Sequence, residues 1–353
     1  MLAETVDEAR RQLEICNACR YCEGYCSMFP AVHRRREYSE NTIIHLANLC
    51  HNCRNCYYAC QYTDPHEFGL NLPAILANVR LLSWQQHALP SALARIFQRS
   101  GVAIAIAMLI GLALLVLAID AWGSWSGGNF YQLMSHKAMI ALFIPAFTLP
   151  VILVAVSLRR YWKSTTAEKF RWHDLKQGLI ATANMRDLSG GHGDGCNFEN
   201  EDQFSNLRRW LHQATLYGFL LCFAATCSAT FMHYFLNLPA PYPLISLPKL
   251  LGVSGGILLC LGTLGLSGLK LRASPGLGAK NAWGGETGFT LLLFLVSATG
   301  LALYWLGNSD WMAELLALHL GSVLAFFLLL PYTKMVHGFY RLAALAKDAS
   351  ERN

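Results

Sequence analysis

The chain has 353 residues, of which 54 % are apolar or aromatic and only 14 % charged. That balance excludes an ordinary water-soluble globule and makes a lipid bilayer the expected solvent for much of the chain. The net charge of +6 is not gathered into a module of interleaved basic and aromatic residues, so nucleic acid is not an expected partner.

The stretch before Gly101 is polar and rich in cysteine. Residues 2–15 mix Glu and Arg with apolar positions at helical spacing and are expected to form an amphipathic helix. That helix delivers Cys16, followed by Cys19, Cys22 and Cys26, and the pattern recurs at Cys50, Cys53, Cys56 and Cys60. Each quartet reads C-x2-C-x2-C-x3-C, the spacing of bacterial ferredoxins that carry two [4Fe-4S] clusters. In that arrangement the fourth cysteine of each quartet crosses to the other cluster. One cluster is therefore expected on Cys16, Cys19, Cys22 and Cys60, and the other on Cys50, Cys53, Cys56 and Cys26. Zinc sites are more often built from separated C-x2–4-C pairs. Structural disulfides go with a secretory leader, which the charged start of the chain does not resemble. Between the quartets, residues 31–48 read as a helix. Arg34, Arg35 and Arg36 form either a solvated face or a docking patch for an acidic redox partner. Residues 70–85 resume a helical pattern and lead through Pro90 into an amphipathic connector.

Six segments then have the length and apolarity to cross a bilayer: 101–119, 137–158, 212–236, 250–269, 286–306 and 311–332. Basic residues collect at Arg159, Arg160 and Lys163, at Arg208 and Arg209, at Lys270, Arg272 and Lys280, and at Lys334 and Arg341. The connections at the opposite ends hold one basic residue, Lys249. The positive-inside rule then puts both termini and the cysteine-rich unit on the cytoplasmic side. The long connection 159–211 contains Ser189-Gly-Gly-His-Gly-Asp-Gly-Cys196, which lacks a G-x-G-x-x-G fingerprint. It is expected to be a flexible surface loop, with His192 and Cys196 as weaker candidates for touching a partner or a metal. Pro145 and Pro150 are expected to bend the second span, and the glycines of the fourth span to admit a close helix neighbour or a flat cofactor.

Histidines on apolar helices are candidate axial ligands of haem. His212 and His233 are 21 residues apart, about 31 Å along a helix, too far to serve one iron. An inner b-type haem is expected between His212 and His337, and an outer one between His233 and His319 with His136 as the substitute ligand. The alternative for each is polar capping at the membrane boundary. No C-x-x-C-H sequence occurs, so covalent haem attachment is not expected. The fold expected is mainly α: a dicluster ferredoxin-like domain over 1–95, a six-span cytochrome b-like bundle over 96–340, and a cytoplasmic tail over 341–353.

The whole chain resembles the tricarballylate or citrate-utilisation protein B family. The resemblance rests on both quartets, on Cys60-Gln-Tyr-Thr-Asp-Pro-His-Glu-Phe68, on the loop at 190–196, and on Arg208-Arg-Trp-Leu-His-Gln-Ala-Thr-Leu-Tyr-Gly-Phe-Leu-Leu-Cys222. It implies a partner FAD-dependent dehydrogenase that converts tricarballylate to cis-aconitate. This chain would reoxidise that FAD and send the electrons to the membrane quinone pool. The eight cysteines carry over as cluster ligands, and His212 matches the histidine of the third-span motif. Where relatives have an adjacent histidine pair, this chain has Leu211-His212. The same relay serving a citrate or other organic-acid dehydrogenase is the alternative, and an iron–sulfur redox sensor is a more distant one.

Overall fold

The computed structural model describes residues 2–26, 28–121, 135–166, 171–238, 240–243, 245–279 and 281–352. The protein is mainly helical, and its described residues hold no strand beyond an isolated Cys196–Ser205 bridge. The polar unit contains α1 (Leu2–Cys19), α2 (Met28–His33), α3 (Glu40–Leu49), α4 (Asn55–Tyr58) and α5 (Leu72–His87). Local chemistry sets the ends of these helices. Ser39 accepts from the Thr42 amide at the start of α3, and Asn71 accepts from the Ala74 amide at the start of α5, which has Pro73 in its first turn. Val6, Leu13, Phe29, Ile43, Leu46 and Leu76 pack into one core at the centre of this unit.

Long apolar helices follow: α6 (Ser91–Ala121), α7 (His136–Thr165), α9 (Leu207–Phe235), α10 (Leu247–Arg272), α11 (Trp283–Leu306) and α12 (Met312–Leu329). The short α8 (Trp172–Ala183) lies between α7 and α9, and α13 (Val336–Arg352) ends the chain. All six expected segments lie on these helices, which have the length and composition to span a membrane. Leu114, Ile152, Leu220 and Leu264 project outward from them, as a lipid-facing surface requires.

One local feature departs from the expected pattern. The first apolar helix begins at Ser91, because the connector joins it across a kink at Ser100 (φ −124°, ψ 26°). Both Pro145 and Pro150 lie inside one unbroken helix. The glycines of α10 serve helix packing: a Cβ at Gly262 would stand 2.7 Å from the Thr215 amide nitrogen, so α9 and α10 meet backbone to backbone.

The polar unit sits on the end of the bundle formed by Ser91, Thr165, Leu207, Arg272, Trp283 and Tyr332. Asn52 Nδ2 donates to Leu277 O at 3.1 Å, and Asn71 Nδ2 donates to Gly276 O at 3.1 Å. The final residues form a docked helix: Ala344, Leu345 and Ala349 are buried, and α13 packs against α8 and α3. Arg34 and Arg35 donate to Asp348 and Glu351 of that helix. Two of the three arginines read as a solvated face or partner patch are thus used within the chain, where burial of Asp348 makes the pairing worthwhile.

Candidate functional site

Cys16 and Cys19 occupy the last turn of α1, and Arg20, in the left-handed conformation (φ 57°), turns the chain towards Cys22. Cys60 follows α4 two residues after its last turn. These four cysteines line one cavity of about 270 Å³, together with Tyr21, Phe29, Cys56 and Leu72. Cys50 caps the end of α3, and left-handed turns at Asn52 (φ 57°) and Arg54 (φ 73°) fold the chain back so that Cys53 and Cys56 face it. Cys26, from the first quartet, completes a tighter cleft of about 10 Å³ with Cys50, Cys53 and Cys56. The fourth cysteine of each quartet therefore lies with the first three of the other quartet.

Burial, reinforced by neighbouring thiols, pushes Cys16 and Cys22 up to about 12, and burial pushes Cys53 to about 12 as well. Such thiols stay protonated in neutral water and ionise when a cation binds them. Backbone amides already point at the sulfurs, with Asn52 N 3.4 Å from Cys50 Sγ and Tyr62 N 3.4 Å from Cys60 Sγ. Among the described residues no three His, Cys, Asp or Glu side chains converge closely enough to hold one ion. Four thiols spread around a common cavity suit a polynuclear iron–sulfur group, in which each thiolate binds a different iron.

The His212 and His337 rings lie 5.8 Å apart between centroids and nearly edge to face. His337 Nδ1 is 2.5 Å from Lys334 O, so it carries the donated proton and leaves Nε2 as the lone-pair nitrogen. Burial, then the neighbouring His212, push His337 down to about 3 and keep it a neutral imidazole. Nδ1 of His212 is buried and lacks a hydrogen-bond partner. Two half-buried imidazoles so close suit axial ligation of one haem iron. His233 lies near the far end of α9, its ring 5.0 Å from that of Tyr234. His319 Nδ1 lies 3.2 Å from Thr299 Oγ1. α9 and α12 approach each other through Phe219 and Phe326, whose rings are 5.6 Å apart. His136 begins α7, and its side chain lies outside the described residues.

A profile of the family described as "Citrate utilization protein B" matches residues 88–353, and one for that family's Fer4-like domain matches residues 9–96. The chain belongs to the citrate utilization protein B family. It is 43 % identical over 357 residues to "Citrate utilization protein B" of Escherichia coli, with 100 % of this chain and 94 % of that protein covered. No solved structure matches it. The two profiles overlap over 88–96, from the end of α5 into the first turns of α6, where the polar unit gives way to the first apolar helix.

In this citrate utilization protein B family member, spacing did not reveal how the loop at 190–196 is held. Residues 191–194 are exposed, as expected of a surface loop, but the loop is anchored on the cysteine unit. Asn55 Nδ2 donates to Gly195 O at 3.1 Å, the Asn197 amide donates to Cys53 O at 3.1 Å, and Cys196 is fully buried. Gly191 has φ +71°, and a Cβ there would fall 1.9 Å from Gly24 O. His192 Nδ1 faces Asp194 Oδ2 at 3.1 Å, and its ring packs against Tyr25 and Phe204. Spacing also gave no role to Glu286, which joins Lys270 at 3.0 Å and Lys334 at 2.6 Å. The only sequence signal for these contacts was the run of glycines and the clustering of charge at one end of the spans.

Proposed function

We propose that this chain is the membrane electron-transfer partner of an FAD-dependent tricarballylate dehydrogenase. It takes two electrons from the reduced flavin and delivers them to quinone. The single observation that supports the electron relay is structural: two four-cysteine sites stand on one end of a six-helix bundle, and a close histidine pair lies at that same end; the dehydrogenase and its substrate rest on the motif resemblance. Cys16, Cys19, Cys22 and Cys60 would hold one [4Fe-4S] cluster, and Cys50, Cys53, Cys56 and Cys26 the other. His212 and His337 would hold an inner b-type haem. His233 and His319, or His136 in place of one of them, would hold an outer one. When bound, these groups supply one-electron carriers between a two-electron donor and a two-electron acceptor.

The chain's own part is to bind and insulate. The thiols ionise on binding and the amides of Asn52 and Tyr62 steady the charge that results. Lys334 O fixes the His337 tautomer and aims Nε2 away from the backbone. The overall reaction balances: reduced flavin loses two electrons and two protons, and quinone gains both to become quinol. By charge bias the cysteine unit faces the cytoplasm of a bacterial inner membrane.

The name of the family and of its Escherichia coli relative favours a second reading, in which the same relay serves citrate or another organic acid. Anaerobic purification separates these readings. The chain should carry eight irons in two clusters and a reversible b-type haem band. The band should appear on adding the reduced partner flavoprotein and fade on adding quinone. A fully loaded chain without a haem band removes the histidine assignments, and a partner active on citrate but not tricarballylate selects the second reading.

A further inference from the structure

We infer that a set of arginines makes the second quartet the exit of the relay, by holding its reduction potential above that of the first; the inference rests on the electron-transfer reading above. Four successive carbonyls, from Leu49 to Asn52, accept from guanidinium groups. Arg341 Nη1 donates to Leu49 O at 2.7 Å, and Arg80 donates to Cys50 O. Arg208 donates to His51 O at 3.1 Å through Nη2 and to Asn52 O at 2.7 Å through Nη1. These arginines come from α13, α5 and the start of α9, so three separately placed helices converge on one cysteine loop. Arg54 lies within the same loop. It is buried, and its guanidinium stacks on Phe198 at 4.4 Å from one side while that of Arg208 does so at 3.9 Å.

Neutral amides would satisfy those carbonyls without charge. Drawing four guanidiniums partly or wholly out of water costs desolvation energy, and among the described residues the carboxylate paired with one of them is Asp187, 2.8 Å from Arg341. The nearby Lys270 and Lys334 already share Glu286. The loop therefore sits in a net positive field within a poorly screened interior. Such a field favours the more negative, reduced state of a thiolate-held group.

The first quartet has the opposite setting. Cys19 is exposed, Tyr21 beside it is 69 % exposed, and the comparable contact among the described residues of 16–26, from Arg20 Nε to Asn17 O at 3.1 Å, comes from an exposed side chain screened by water. The second quartet also faces the bundle directly, because Arg208 begins α9 one turn before His212. Electrons therefore enter at the outward-facing first quartet and leave from the second towards the histidine pair.

The test is a potentiometric titration of the full-length protein in detergent, read by paramagnetic resonance, for wild type, R208Q, R341Q, R208K and R341K. A C22S chain identifies the first-quartet signal by its loss. Each Gln variant should lower the reduced-to-oxidised ratio of the second-quartet signal on the order of tenfold at a fixed potential, equivalent to about 59 mV for one electron. The first-quartet signal should stay in place, and the Lys variants should stay near wild type. Unmoved second-quartet midpoints in both Gln variants, equal movement of both signals, or a higher first-quartet midpoint in wild type would overturn the inference. If a Gln variant loses the signal, its Lys counterpart decides: a wild-type midpoint supports the inference and a depressed one overturns it. Wild-type protein with no cluster signals refutes the proposed function instead.

Discussion

Replacing Asp348 with Ala should release the terminal helix α13 from the cysteine unit. The Asp348 side chain is only 2 % exposed, accepts from Arg34, and lies 3.3 Å from Arg352. Alanine is the best helix former, so the substitution leaves α13 intrinsically helical and removes only what ties it down. Losing a hydrogen-bonded ion pair to a charged group costs about 1.5–3 kcal/mol, and that corresponds to an undocked fraction larger by about 10- to 150-fold. Arg34 retains Glu351 at 4.0 Å, which places the expected effect nearer the lower bound. The assay is hydrogen exchange in detergent, followed over 336–352, where amide exchange should accelerate by at least about tenfold. Protection unchanged over α13 would refute the reasoning, because the ion pairs would then contribute nothing to docking. R34A should reproduce the effect in part, since Arg35 and Glu351 remain joined.

Three further outcomes follow from the geometry. Cys26→Ser should abolish the second-quartet iron–sulfur signal and spare the first, with iron falling from about eight to about four per chain; loss of the first signal would contradict the crossed arrangement seen around the two cavities. Gly262→Val should force α9 and α10 apart and cost about 1–3 kcal/mol, lowering the thermal midpoint in detergent, because the added carbons meet backbone at Thr215. His45 is fully buried, and burial, then Lys347, hold it well below its ordinary 6.5. The unfolded chain binds that proton first, so stability should be lost as pH falls from 6.5 towards the folded value, by up to about 1.4 kcal/mol per pH unit. Chemical denaturation at pH 7 and pH 5 should show a smaller pH effect for H45F than for wild type, and an equal effect would contradict it.

The two quartets and the six apolar helices were legible in the sequence because each is a local pattern. Ligand spacing is fixed over ten residues, and bilayer thickness sets a minimum run of apolar ones. The meeting of His212 with His337 needed one further idea, that charge bias assigns helix ends to a common side. What could not be read were the contacts between distant polar groups. Arg208 reaches Asn52 across 156 positions and Arg341 reaches Leu49 across 292. In the sequence both arginines counted only as positive charge near span ends. The anchoring of the loop at 190–196 was hidden for a related reason. Its glycines signal flexibility in isolation, whereas in the fold they allow backbone to pass against Gly24 and Ser205.

The central claim is that electrons held by the cysteine unit reach the membrane through the histidine pair at 5.8 Å. The most direct measurement is anaerobic quinone reduction by the cluster-loaded His212→Ala protein after chemical reduction of its clusters, with optical spectra taken alongside. The account predicts two intact cluster signals, a lost or displaced b-type haem band, and quinone reduction slowed at least tenfold. An unchanged haem spectrum with quinone reduced at the wild-type rate would contradict it.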